Sequence, residues 1–177
     1  TNKGGRRMRS LRWKLYDIRQ GIKNIAYFWR TIWKFRPHDY GYQLHLWQAS
    51  LRPLRDAIAK GSEDDAARMK KVAKIQRCID LLDRMMEDDY VGLAEQELGI
   101  TIKILDIATE QRMNKYRRIF ELANQLEQSD WKEFFSILQG QSYAEFEMLR
   151  DKSNSKKTDY ELYEKWFDGS GMKGWWA

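Results

Sequence analysis

The chain has 177 residues, enough for one domain of ordinary size with a real hydrophobic core, and only two prolines and one cysteine. A single cysteine, Cys78, excludes an internal disulfide and a cysteine-rich zinc site, and makes a reducing compartment the simple expectation. Residues 1–36 hold eleven Lys or Arg against one acid, Asp17; they carry +10 of a formal total of +6, so the remainder sums to −4. The expectation is a basic arm on a mildly acidic body.

Abundant Leu, Ile, Glu, Lys, Arg and Gln with few breakers predict an all-α protein, a bundle of long antiparallel helices with a basic N-terminal arm and a short irregular C-terminal tail. Residues 1–9 lack periodicity and read as a basic tail; 10–150 read as the helical bundle, 151–158 as a linker, and 159–177 as a C-terminal helix and tail. No stretch resembles a signal peptide, and no run of about eighteen apolar residues is present to span a bilayer as a helix.

Ser10 has the chemistry of an N-cap, and Leu11, Leu15, Ile18, Ile22, Ile25, Trp29 and Ile32 then recur at steps of four and three. This heptad seam predicts one helix from about 11 to 35, ended by Pro37. Asp39 is placed to cap a second helix carrying Leu44, Trp47, Leu51, Leu54 and Ile58; Pro53 should kink or divide it, and Gly61 should stop it. Ser62 with Asp65 has the form of a capping box for a third helix, with Met69, Val72, Ile75, Ile79, Leu82 and Met86 inward. The acids Glu87, Asp88 and Asp89 oppose the helix dipole there, so they belong outside the helix or beside a base.

From 91 to 128 a mostly continuous seam runs through Leu98, Ile102, Leu105, Ile119, Ala123 and Leu126, with Gly99 as a break. Ser129 and Asp130 read as punctuation before a short helix, WKEFFSIL, ending at Gly140. YAEFEMLR makes another short helix, and Thr158 caps TDYELYEKWF. The closing DGSGMKGWWA reads as irregular; Trp175 and Trp176 should dock, either on their own bundle or on a partner, because two exposed tryptophans make a poor surface.

Opposite the first seam lies a second stripe, Trp13, Tyr16, Gln20, Lys23, Tyr27 and Arg30. A helix packed on one partner needs only one apolar face. Rings interleaved with cations suit base stacking beside phosphate contacts, at about 1–3 kcal/mol per stacked base. Burial between two layers, with the cations reaching to water, is the structural alternative. The candidate contacts to nucleic acid or an acidic partner are Arg6, Arg7, Arg9, Arg12, Lys14, Lys23, Arg30, Lys34 and Arg36, with Trp13, Tyr16 and Tyr27 for stacking.

Other chemistry is sparse. VGLAEQELGITIKIL (91–105) suggests a helix-turn-helix, but its alanine stands five residues before the glycine instead of four, and IKILDIATE carries two acids and one lysine. His38 and His45, seven apart, lie near no patterned nucleophile, and no GxSxG, HExxH or phosphate-binding loop occurs. The pairs Glu63 with Asp64 and Asp88 with Asp89 read as caps and solvated charge more readily than as metal ligands. No enzymatic activity, metal or cofactor is expected.

The segments GIKNI (21–25), IWKFRPHDYGY (32–42), the leucines Leu44, Leu51 and Leu54, LLDRMMEDDY (81–90) and the final WW resemble a group of small helical proteins encoded by tailed bacteriophages and their metagenomic relatives. The most specific part is Ile32, Trp33, Lys34, Arg36, Asp39 and Tyr40, with His38 standing where an aromatic is commoner. The resemblance covers roughly the first 90 residues and the last few; it implies a phage origin and carries over no site. The combined expectation is a non-enzymatic binding protein contacting nucleic acid or a host nucleoprotein complex, in the bacterial cytoplasm or the virion. The alternative is a virion structural or assembly protein that forms homo-oligomeric helical contacts.

Overall fold

A computed structural model describes residues 3–34, 36, 39–62, 64–101, 110–152 and 158–175, with side chains from Trp13 in the first helix and from Met113 in the fifth. The fold is all-α: eight helices and no strand among the described residues. The chain divides into two units, 1–49 and 50–177.

In the first unit, α1 (Lys3–Trp33) runs 31 residues. It begins well before Ser10, so the expected cap lies inside the helix and the expected tail continues it. Arginine and methionine are good helix formers, and nothing in 3–10 forces a break. Pro37 lies outside the described residues. At Asp39 the carboxylate accepts the Gly41 N–H at 2.9 Å and opens α2 (Tyr40–Ala59), as expected.

Pro53 neither stops nor divides α2. It withholds the N–H that would have bonded the Ala49 carbonyl, and the boundary between the two units falls there, at Ala49 and Ser50. Beyond it Leu51 and Leu54 are buried, and α2 ends where the Gly61 N–H donates to the Ile58 carbonyl at 2.9 Å.

In the second unit, α3 (Asp65–Glu87) is capped by Asp64, whose carboxylate accepts from Ala66 and Ala67. The Ser62 and Asp65 box is not used: Asp65 instead pairs with Arg68, which also donates to the Gly61 carbonyl at 2.8 Å. Ile75, Ile79 and Leu82 are buried as expected, together with Lys71, Cys78, Leu81 and Met85, while Met69 is exposed. The buried face is wider than a single seam because α3 is tied on two sides. Arg55 of α2 bonds Gln76, and Arg77 grips Glu133 of α5 (Glu110–Gln139) through two hydrogen bonds of 2.7 Å.

The acidic cluster is parted by geometry. Glu87 ends α3, Asp88 takes the left-handed C-cap position with φ 52°, and Asp89 caps α4 (Tyr90–Leu98) by accepting the Gly92 N–H at 3.1 Å. Gly99 supplies the left-handed C-cap of α4. Tyr90 and Ala94 pack with Ile119 and Ala123 of α5, and Leu98 and Leu126 flank them. Ile102 and Leu105, and the supposed recognition helix, lie outside the described residues.

Ser129 and Asp130 do not punctuate the chain, because α5 passes straight through them to Gln139. Asp130 is 3% exposed and receives Arg84 and the Tyr90 hydroxyl, so a long-range partner holds inside a helix a residue whose local preference is for its ends. With Arg77 on Glu133 and Arg84 on Asp130, α3 and α5 run antiparallel. Gly140 then ends α5 in the left-handed region, as expected.

The last segments are built around rings. In α6 (Tyr143–Lys152), Phe146 is buried with its centroid 5.8 Å from Tyr163 and 5.4 Å from Trp166 of α7 (Asp159–Trp166). Thr158 and Glu161 form the reciprocal capping box that opens α7.

Candidate nucleic-acid interface and the C-terminal clasp

The described part of α1 is open to solvent on both of its stripes. Trp13, Tyr16 and Tyr27 are exposed by half or more, and Lys14, Lys23, Arg30, Lys34 and Arg36 are also exposed. The structural alternative, a helix buried between two layers, is not what these residues adopt. The side chains of Arg6, Arg7, Arg9 and Arg12 lie outside the described residues, although their backbone is in the helix. Rings and cations occupy one line because 3.6 residues per turn bring 13, 16, 20, 23, 27 and 30 to one side. Within it Trp13 and Tyr16 meet edge to face at 6.3 Å, and Gln20 donates to Asn24 at 3.0 Å.

Cys78 is fully buried, and burial pushes its thiol up to about 12, which keeps it protonated and unreactive. Among the described residues no group of His, Cys, Asp and Glu is placed to hold a metal ion. No helix is long and apolar enough to cross a membrane among them. His38 lies outside the described residues, and His45 lies against Tyr42 at a centroid distance of 6.1 Å.

The final stretch is irregular over 167–171 and then makes one helical turn, and it is tightly fitted to the bundle as a clasp. The Trp175 ring is 3% exposed and its indole N–H donates to the Gly169 carbonyl at 2.8 Å. Lys70 of α3 donates to the carbonyls of Glu164 and Phe167 at 2.6 and 2.9 Å, and the Gly171 N–H donates to the Ile137 carbonyl at 2.8 Å. Gly169 has φ 89°, and a Cβ there would stand 2.3 Å from the Lys70 carbonyl carbon. Trp175 thus docks on its own chain through α8 (Met172–Trp175), and Trp176 lies outside the described residues. The sequence signal was the Gly-Ser-Gly spacing itself, which permits this close approach.

Beside the clasp is a cleft of about 350 Å³ lined by Lys74, Ser136, Gln141, Glu145, Asp168 and Ser170. Its polar groups largely satisfy one another: Lys74 pairs with Asp168 at 2.9 Å, Ser170 donates to the same carboxylate, and the Asp168 N–H donates to Gln141. Burial by itself would raise the Asp168 pKa, but the hydrogen bonds from Ser170 and Lys74 outweigh it and hold the group below its ordinary value of 3.8. A carboxyl depressed by folding contributes stability that is present above its unfolded pKa and is lost as pH falls through the folded one. The melting-temperature difference between the native chain and Asp168→Asn should therefore be full at pH 7 and shrink below pH 3.8. A difference that does not change with pH would show that the charge is irrelevant there.

Compared with known proteins, the chain matches no family model, no curated protein and no solved structure.

Proposed function

We propose that the chain is a non-enzymatic, phage-encoded binding protein that contacts nucleic acid or a host nucleoprotein complex through the outer stripe of α1, acting in the bacterial cytoplasm or the virion. The observation that supports this reading is the joint exposure of Trp13, Tyr16 and Tyr27 with Lys14, Lys23, Arg30 and Lys34 on one helix. Exposed rings are unfavourable in water, and a face that alternates them with cations suits a ligand with stacked bases and a charged backbone. The +10 carried by residues 1–36 adds long-range attraction to such a polyanion.

Binding to labelled single- and double-stranded DNA and RNA should weaken steeply with salt, the logarithmic slope being about −0.9 per duplex phosphate neutralised and about −0.7 for single strands. Replacing Trp13, Tyr16 and Tyr27 by Ala should weaken it at least about tenfold, given the usual worth of a stacked ring. The melting temperature should not move, because those rings are exposed in the fold. No binding at low salt would sink the reading.

The second reading is a virion structural or assembly protein, favoured by the exposed apolar seam on the other side of α1. A stable oligomer in the absence of nucleic acid, together with no affinity for it, would select this reading over the first.

A further inference from the structure

The outer stripe of α1 carries more rings than contact with a phosphate backbone needs. Its line continues past Arg30 to Lys34, whose N–H still closes a helical turn on the Arg30 carbonyl at 3.3 Å. Rings and cations therefore follow one another along one side of the helix: the ring pair of Trp13 and Tyr16, then Lys23, Tyr27, Arg30 and Lys34, all of them exposed. From Trp13 to Tyr27 is about 21 Å along the axis at 1.5 Å per residue.

The cations by themselves favour a duplex. Double-stranded DNA carries one negative charge per about 1.7 Å of axis, and each of its phosphates releases more counterion on neutralisation than one of a single strand. The rings reverse that order. Inside a duplex every base is covered on both faces by its neighbours, so a ring meets a face only where a step has been unstacked, at a cost of the same order as the stacking it gains. Rings spread over about 21 Å would need this at more than one step. A single strand presents its base faces without that cost.

The same line is poorly furnished for reading a groove. Base edges there are read by amides and guanidinium groups in bidentate contact. The amide on this line, Gln20, donates along the helix to Asn24 at 3.0 Å, and from Trp13 to Lys34 Arg30 is its one guanidinium. Lysines on phosphates carry no sequence information, and a ring stacks on any base.

We infer that the ligand of the outer stripe is a single strand of DNA or RNA, with Trp13, Tyr16 and Tyr27 stacked on its bases and Lys23, Arg30 and Lys34 on the phosphates beside them. This rests on the nucleic-acid reading of α1 and narrows it to one form.

The test measures anisotropy of four labelled probes of one length with the full chain: oligo(dT), oligo(U), a duplex, and a strand whose bases are replaced by abasic sites. The abasic strand keeps every phosphate and removes only what a ring can stack on. The tighter of oligo(dT) and oligo(U), which tells DNA from RNA, should bind at least about tenfold more tightly than the duplex and the abasic strand. Replacing Trp13, Tyr16 and Tyr27 by Ala should bring that strand down to the abasic level, leave the other two probes where they were, and not alter the circular dichroism of a fold in which those rings are exposed. A duplex or an abasic strand bound as tightly as the tighter of oligo(dT) and oligo(U) would overturn the single-strand assignment and leave the nucleic-acid reading standing. No binding of any probe at low salt would overturn both.

Discussion

Trp175→Ala should destabilise the folded chain by about 3–5 kcal/mol, the range for truncating a buried large aromatic. The ring is almost wholly enclosed, and its loss also leaves the Gly169 carbonyl without the indole donor. Gly169→Ala should cost at least about 2 kcal/mol by a different route. Its backbone is in the region that side chains rarely adopt, and the added carbon would meet the backbone of Lys70, which cannot rotate away. Gly174→Ala is the matched control, because no atom lies within 4 Å of the carbon it adds. Urea titrations followed by circular dichroism should rank the three with Gly174→Ala near the unsubstituted chain. If Trp175→Ala and Gly169→Ala unfold at the same midpoint as Gly174→Ala, the clasp does not hold the bundle.

The second large effect concerns Asp130, and its content is an asymmetry. Asp130 is buried on α5, while the Arg84 side chain that grips it is 41% exposed. Arg84→Met strands a carboxylate away from water, and the cost should approach the 3–5 kcal/mol typical of a broken buried pair. Asp130→Ala strands a guanidinium that can turn to solvent, and should cost less, about 2–3 kcal/mol, part of it from the Tyr90 hydroxyl that loses its 2.9 Å acceptor. Tyr90→Phe alone should cost about 1 kcal/mol. In the double variant the losses should not add, because the two side chains act on each other. Equal losses from Arg84→Met and Asp130→Ala would contradict the burial difference on which this ranking rests.

Both predictions depend on residues whose roles were hidden in the sequence. Asp130 follows Ser129, and that pair has the chemistry of a helix boundary; it sits mid-helix because Arg84, 46 residues away, and Tyr90 supply its partners. The tryptophans of DGSGMKGWW call for a docking place, but which one shows only when Gly169 is seen against Lys70 and Gly171 against Ile137. Met69 keeps seam spacing yet is exposed, while Cys78 and Leu81 are off the seam and fully buried, because α3 is tied to both α2 and α5.

Local rules were dependable where the chain answers to itself. The helical composition, the Gly140 stop, the Thr158 and Glu161 box, the Asp39 cap and the core positions Ile75, Ile79, Leu82, Ile119 and Ala123 follow from propensity, backbone freedom and period, each set within a few residues. Local capping rules also failed where two acceptors competed: Asp64 rather than Ser62 caps α3, a choice fixed by which oxygen reaches the first free N–H groups.

The sequence by itself determined a helical chain whose first 36 residues are strongly basic and rich in rings, with two stripes on one helix. Only the tertiary structure decided that the described part of both stripes stands exposed, that a carboxylate is buried in α5, and that Trp175 closes on its own bundle. Periodicity says which residues share a face, but whether that face meets water or protein depends on partners distant in the chain, and no local pattern encodes their approach.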